Sequence, residues 1–297
     1  LASFPDDPDS AQTNFLLAEV LFESRQYARA AKEYERSAYA YPLYARSADA
    51  GYAALIAYQK QEETLAAADK PAWHAQGTES GLRFAKTFPQ HPESAGVLTR
   101  AAQDLYVAKD LPRAMQAARD LLARQPPVDG AKQRIGWTLI GQSQFDLAAY
   151  GEAEKAYAHA LALTAPSAAE YADVTERLAA AVYRQGEARR QAGDESGAAD
   201  DFLRVARAAP GSKIVATAQY DAAAALINTR QWERAIQVLE AYRRDYPKGE
   251  YAAEVTRKLA VVYVEAGRSE LAAAEFERIA AVPGEDPAVV REALGKA

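Results

Sequence analysis

The side chains able to do chemistry are few and scattered. The chain has three histidines, His74, His91 and His159, and no cysteine. Without cysteine there are no disulfides, no thiol nucleophile and no thiolate ligands for zinc. No His-x3-His pair and no HExxH pattern occurs, so a metal site has nothing to be built from. His91 sits in the Pro-flanked turn Phe88-Pro89-Gln90-His91-Pro92, and His159 lies two residues beyond Tyr157. All three histidines read as surface or turn residues. Glu62-Glu63 and Asp200-Asp201 are paired acids. They read as solvated helix faces, because a general acid/base pair needs desolvation and a fixed partner. Neither a phosphate-cradling glycine loop nor a G-x-S-x-G elbow is present. The sequence therefore points away from an enzyme and implies no cofactor.

What the chain does carry is repetition. Trp137-x2-Ile140-Gly141 is followed by Ala153-x3-Tyr157-x2-Ala160, and Ala198-x3-Phe202-x2-Val205 closes at Pro210. The same frame reads Ala18, Leu21, Ala30, Tyr34 and Pro42 near the start. Further on it reads Ala102, Leu105, Ala114, Leu121 and Pro126, then Ala223, Leu226, Ala235, Leu239 and Pro247, and last Ala260, Tyr263, Ala272 and Phe276. Each copy holds two segments whose apolar residues recur three and four apart, which is the signature of two amphipathic helices. Polar turns such as Gly193-Asp194 and Gly267-Arg268 separate the two, and proline ends the second. Ala18, Ala102, Gly141, Gly186, Ala223 and Ala260 mark one close helix crossing. Ala30, Ala114, Ala153, Ala198, Ala235 and Ala272 mark the other, and Tyr34, Tyr157, Phe202 and Phe276 fill the space beside them.

This pattern resembles the tetratricopeptide repeat family, with W-x2-L-G-x2-Y, A-x3-F and P over about 34 residues. It covers the chain from about Ala11 to about Pro283. The resemblance implies an all-α, right-handed superhelical solenoid of about seven helical hairpins, read here as a single domain over 1–297. The repeats fall near 11–44, 45–94, 95–133, 134–178, 179–215, 216–252 and 253–284, after a polar lead-in at 1–10 that ends in Asp9 or Ser10 as a helix cap. Two irregularities are expected: an insertion around Gln59–Lys70, with Asp69 and Pro71 opening a helix, and extra residues around Pro166–Asp173. Residues 285–297 begin a further or capping helix with a Val289, Val290 and Leu294 stripe, which reads as truncation from a larger protein.

The net charge of −6 is interspersed, leaving no basic face for nucleic acid. No apolar run is long enough to span a membrane. No signal peptide is visible. The chain begins at Leu1 rather than Met, so it reads as a mature form or an excised segment.

In the family the first helix of each repeat lines a concave groove. Carried over residue by residue, the groove positions include Phe15 and Phe22; Gly96, Thr99, Gln103, Tyr106 and Val107; Ile135 and Phe145; Tyr183 and Arg190; Tyr220; and Arg257. The aromatic members would bind an extended peptide or a partner's helix, or else pack between adjacent first helices. The Lys and Asn carboxylate clamp of chaperone-binding members is absent: those positions read Phe15 and Glu19, Thr99 and Gln103, Tyr183 and Glu187. The turns at Phe88–Ala95 and Tyr246–Ala252 resemble those of bacterial envelope repeat proteins. The expected function is a non-catalytic scaffold for a protein or peptide partner, periplasmic or outer-membrane-associated. Alternatives are a cytoplasmic adaptor, a repeat domain of a larger secretion, export or enzyme complex, and glycan binding in the groove.

Overall fold

The computed structural model describes residues 8–281 and 287–296. The lead-in at 1–7, Pro283 and the Glu285-Asp286 entry to the last segment lie outside the described residues, as do the side chains of Val289 and Leu294. Among the described residues there are fifteen α-helices and no strand. They run α1 Pro8–Glu23, α2 Tyr27–Tyr39, α3 Ser47–Thr64, α4 Lys70–Thr87, α5 Ser94–Val107, α6 Leu111–Leu122 and α7 Gly130–Asp146. Then come α8 Tyr150–Ala162, α9 Tyr171–Gln191, α10 Glu195–Ala208, α11 Ile214–Asn228, α12 Trp232–Asp245, α13 Ala252–Glu265, α14 Ser269–Ala280 and α15 Pro287–Lys296. Odd-numbered helices are the first arms of hairpins and even-numbered helices the second. The chain divides into two compact units, Leu1–Ser143 and Gln144–Ala297, with the division inside α7.

Both expected irregularities are absorbed as helix length. The residues around Gln59–Lys70 extend α3 to Thr64, leaving only a short loop before α4. Asp69 does precede α4, with Pro71 in its first turn, but its side chain makes no cap hydrogen bond. The extra residues before Ala179 lengthen α9 to 21 residues, starting at Tyr171. At the amino end α1 already begins at Pro8, so Asp9 lies within its first turn rather than capping it. Side-chain caps open α10 and α6: Asp194 accepts from the Gly197 N–H at 2.8 Å and Asp110 from the Arg113 N–H at 3.4 Å.

Six hairpin turns share one device. Arg25, Lys109, Ala148, Gly193, Arg230 and Gly267 all have φ between 57° and 84°. After each, the next residue's N–H donates to the carbonyl five residues back, as in Gln26 to Leu21, Asp110 to Leu105 and Arg268 to Tyr263. This left-handed closure satisfies the orphan carbonyls at the end of the first helix and reverses the chain. Glycine is the residue this backbone favours, yet only two of the six positions carry it.

The small residues of the repeat sit at the helix crossings. Ala18, Ala30, Ala102, Ala114, Ala153, Ala198, Ala223, Ala235 and Ala260 are fully buried. A Cβ added at Gly186 would lie 2.6 Å from Phe202 Cε1, so the ring occupies the volume that the glycine vacates. In the first unit Phe15, Ala18, Tyr34 and Ala54 share a core; in the second, Leu226, Leu239, Val255, Leu259 and Phe276 do. Each fully buried Leu, Val or Phe contributes roughly 1.5–3 kcal/mol.

The repeat period also appears in the polar contacts. Arg113 pairs with Glu79 at 2.7 Å and Arg234 with Asp200 at 2.6 Å, and Arg268 pairs with Glu233. The partners are 34, 34 and 35 residues apart. They join each second helix to the next one, or to the turn residue that opens it, within each unit. Such exposed pairs contribute about 0–1 kcal/mol each, so they trim the register set by the apolar crossings.

Candidate functional site

The expected groove residues fall into three groups. Phe15 is a correction. It is 3% exposed, meets Tyr34 edge-on at 5.6 Å and lies beneath the Arg46 guanidinium, so it is core and offers nothing to a partner. Phe22 is half-buried between Tyr27 and Tyr34, and Phe145 meets Tyr150 edge-on at 5.2 Å.

Tyr183 and Tyr220 form a second group, which ties adjacent first helices together. Tyr183 on α9 donates its hydroxyl to Asp221 on α11 at 2.5 Å. Tyr220 on α11 donates to Glu254 on α13 and stacks on Tyr251 with centroids 4.2 Å apart. Arg190 lies 3.4 Å from Asp221 and faces the Phe202 ring. Burial, then the Asp221 carboxylate, pushes the Tyr183 hydroxyl well above the ordinary tyrosine range; burial and Glu254 do the same for Tyr220. Arg257 on α13 is exposed. Tyr106 is half-buried on α5, with the Lys109 ammonium 5.1 Å from its ring.

The third group surrounds a real trough in the first unit. Gly96, Thr99 and Gln103 of α5 face Ala131, Lys132 and Ile135 of α7 across an open cavity of about 580 Å³. Lys132 is neutralised by Asp129 at 2.5 Å. Gly96, Arg100 and Asp104 also line a second, deeper cavity of about 260 Å³ between α3 and α5, with α4 as its floor. Its walls include Tyr52, Tyr58 and Trp73. Trp73 donates its indole N–H to the Tyr58 carbonyl at 2.8 Å, and the two rings lie 5.0 Å apart. Burial, with Glu35 beside it, raises the Tyr58 hydroxyl to about 12.

His74 stands at the edge of this cavity and is not the isolated surface histidine expected. Its Nδ1 lies 3.1 Å from Glu62 on α3, and its Nε2 3.3 Å from Asp104 on α5. Partial burial pulls its pKa down, but hydrogen bonding and charge from Glu62 and Asp104 outweigh that and hold it above the ordinary histidine range. No sequence signal pointed here, because Glu62, His74 and Asp104 belong to three helices and follow no short spacing. Glu62 is thus a partnered acid rather than half of a solvated pair. Asp201 is likewise 2% exposed, held by Arg204 at 2.5 Å and Arg189 at 3.0 Å. His91 packs edge-on against Phe84 at 5.1 Å, whereas His159 is exposed.

Among the described residues no group of three or more His, Asp or Glu is placed to hold a metal ion. No described helix is long and apolar enough to cross a membrane.

Residues 217–249, which run from α11 to just past α12, match the family model described as tetratricopeptide repeat. No curated protein matches the chain in sequence. Among solved structures, the chain is similar to the C-terminal part of a TPR repeat-containing protein from Cytophaga hutchinsonii. The identity is 15%, over 93% of this chain and 98% of that one, with a TM-score of 0.42. It is similar to a tetratricopeptide repeat protein from Parabacteroides merdae, with 12% identity over 97% and 98% and a TM-score of 0.39. It is also similar to pilF of Pseudomonas aeruginosa, with 14% identity over 84% and 98% and a TM-score of 0.35.

Proposed function

We propose that this chain of tetratricopeptide-like hairpins is a non-catalytic scaffold that binds a protein or peptide partner along the faces of its first helices. One observation carries the reading. Gly96, Thr99 and Gln103 of one repeat and Ile135 of the next, all groove positions by the repeat register, line a single open trough. A trough between two rigid first helices presents side chains whose backbone is already ordered, so a partner meets a surface that pays little further entropy.

In each unit a charged group drawn into internal pairing supports the non-catalytic reading. His74 is held between two carboxylates, and Asp201 between two arginines. A general acid or base must instead reach the proton it transfers. The partner's setting is proposed to be the bacterial envelope, on the strength of the turns at Phe88–Ala95 and Tyr246–Ala252.

The test is site-specific photocrosslinking in the native cell. A photoreactive residue at Gln103 and another at Ile135 should capture the same protein, and one at Lys155 on the second helix α8 should not. Capture of different proteins from the two trough positions, or equal capture from Lys155, would overturn the scaffold reading. A complete reading frame without an export signal would overturn the envelope setting alone.

A further inference from the structure

The deeper cavity has chemistry of its own. Tyr52, Tyr58 and Trp73 supply ring walls, and Val97 adds an aliphatic side. The space, about 260 Å³, is of the order of one large side chain. Aromatic walls favour a ring that can meet them edge-on or offset, beyond the gain from burial.

The charges at this cavity are not equivalent. Glu62 and Asp104 are both turned to His74. Arg100, exposed at the mouth, has no ionic or hydrogen-bonding partner among the described residues. Glu93 caps the start of α5, about two turns before Arg100, roughly 10 Å along the helix axis, and no ion pair joins the two among the described residues. The mouth therefore offers one free guanidinium, which takes a carboxylate in a planar, charge-assisted fork.

Gly96, Arg100 and Asp104, one stripe along α5, line both cavities, so the trough and the deeper space adjoin across that helix. A Cβ added at Gly96 meets no heavy atom within 4 Å, so the stripe is lowest there.

We propose that this cavity receives an aromatic side chain of a partner peptide, and that Arg100 holds a carboxylate of the same peptide beside that ring. The proposal deepens the scaffold reading by naming what the partner must carry, and it rests on that reading for the occupant being a peptide.

The probe is the capped peptide acetyl-Gly-Trp-Glu-Gly-amide, titrated into the full chain while the Trp73 indole N–H resonance is followed. Controls are the same peptide with Gln in place of Glu, and free N-acetyl-tryptophan. The Glu peptide should shift the Trp73 resonance saturably and bind about threefold tighter than the Gln peptide, the size of a partly exposed ion pair. Arg100→Gln should bring that ratio to about one. Gly96→Leu, which adds a side chain into open space, should weaken both peptides about tenfold, a loss of the order of burying one or two methylenes. Free N-acetyl-tryptophan should bind more weakly than the Glu peptide.

No saturable shift at Trp73, equal affinity for the Glu and Gln peptides, or free N-acetyl-tryptophan binding as tightly as the peptide would each overturn the proposal. Crosslinks from Gln103 and Ile135 to one protein, with no peptide response at Trp73, would leave the scaffold reading standing and this inference refuted.

Discussion

The Tyr183 hydroxyl donates to Asp221, 38 residues further along the chain, at 2.5 Å. The bond joins α9 to α11, two successive first helices. With Tyr220 and Glu254 it repeats one step later, between α11 and α13. The contact gives these rings a structural role between repeats.

Removing the hydroxyl alone tests that role. Tyr183→Phe should lower stability by about 1–2 kcal/mol, because Asp221 loses a donor and, among the described residues, keeps Arg190. Tyr183→Ala should cost more, about 2–3 kcal/mol, through lost packing against Phe202. Chemical denaturation with unchanged far-UV helicity in the folded baseline is the measurement. Midpoints equal to wild type would return Tyr183 to the surface available to a partner.

The crossing of α9 and α10 makes a second prediction. Gly186→Ala places a methyl 2.6 Å from Phe202 and should destabilise by roughly 1–3 kcal/mol. Ala198→Leu, on the opposing helix at a fully buried site, should do the same or worse. Pairing Gly186→Ala with Phe202→Leu should recover part of the loss, since the smaller side chain vacates the contested space. Additive losses in that double variant would contradict the packing.

The left-handed turns predict gains. Ala148, with φ of 57°, holds a conformation that costs an L-residue about 1–2 kcal/mol, against about 0.5–1 kcal/mol of extra chain entropy for glycine. Ala148→Gly should therefore raise stability by about 0.5–1 kcal/mol. Gly267→Ala, at φ of 72°, should lower it by a similar amount. A melting series of both variants against wild type decides the matter, and a fall for Ala148→Gly would refute the assignment.

His74 makes the region of α3, α4 and α5 pH-dependent. Its pKa is raised in the folded state, so the imidazolium's contribution is complete below the unfolded value of about 6.5 and disappears as pH rises through the folded one. The melting temperature of wild type minus that of His74→Gln should be positive near pH 6 and shrink towards pH 8. The effect is small, since His74 is 37% exposed and solvent screens the pair. A difference that grows with pH would reverse the sign and refute the bridge.

Much of the architecture was readable in advance. Ala153, Ala198 and Ala235 recur at fixed offsets because each must let a neighbouring helix approach, and a residue with that duty cannot be large. Tyr157 and Phe202 recur for the complementary reason. Such requirements act within one hairpin or between neighbours, so they leave a periodic mark on the chain. Residues 217–249, the segment the family model matches, carry that mark in Ala223, Leu226, Ala235 and Leu239.

The exposure of a given ring left no such mark. Phe15 and Tyr106 occupy groove positions in different repeats, yet the first is buried beneath Arg46 and the second only half-buried. Helical periodicity says which face a residue is on, whereas exposure depends on what a different helix brings against that face. The extension of α3 to Thr64 is the clearest case. The added residues carry Glu62 to His74, and Asp104 of α5 completes the bridge.

The amino-acid order alone thus determined the hairpins, their register and their close crossings, because each of these is enforced by residues near one another in the chain. Only the tertiary structure decided the His74 bridge, the tyrosine ties and the ring-walled cavity beside Arg100. Those depend on helix lengths and on how three separate helices meet, and local spacing encodes neither.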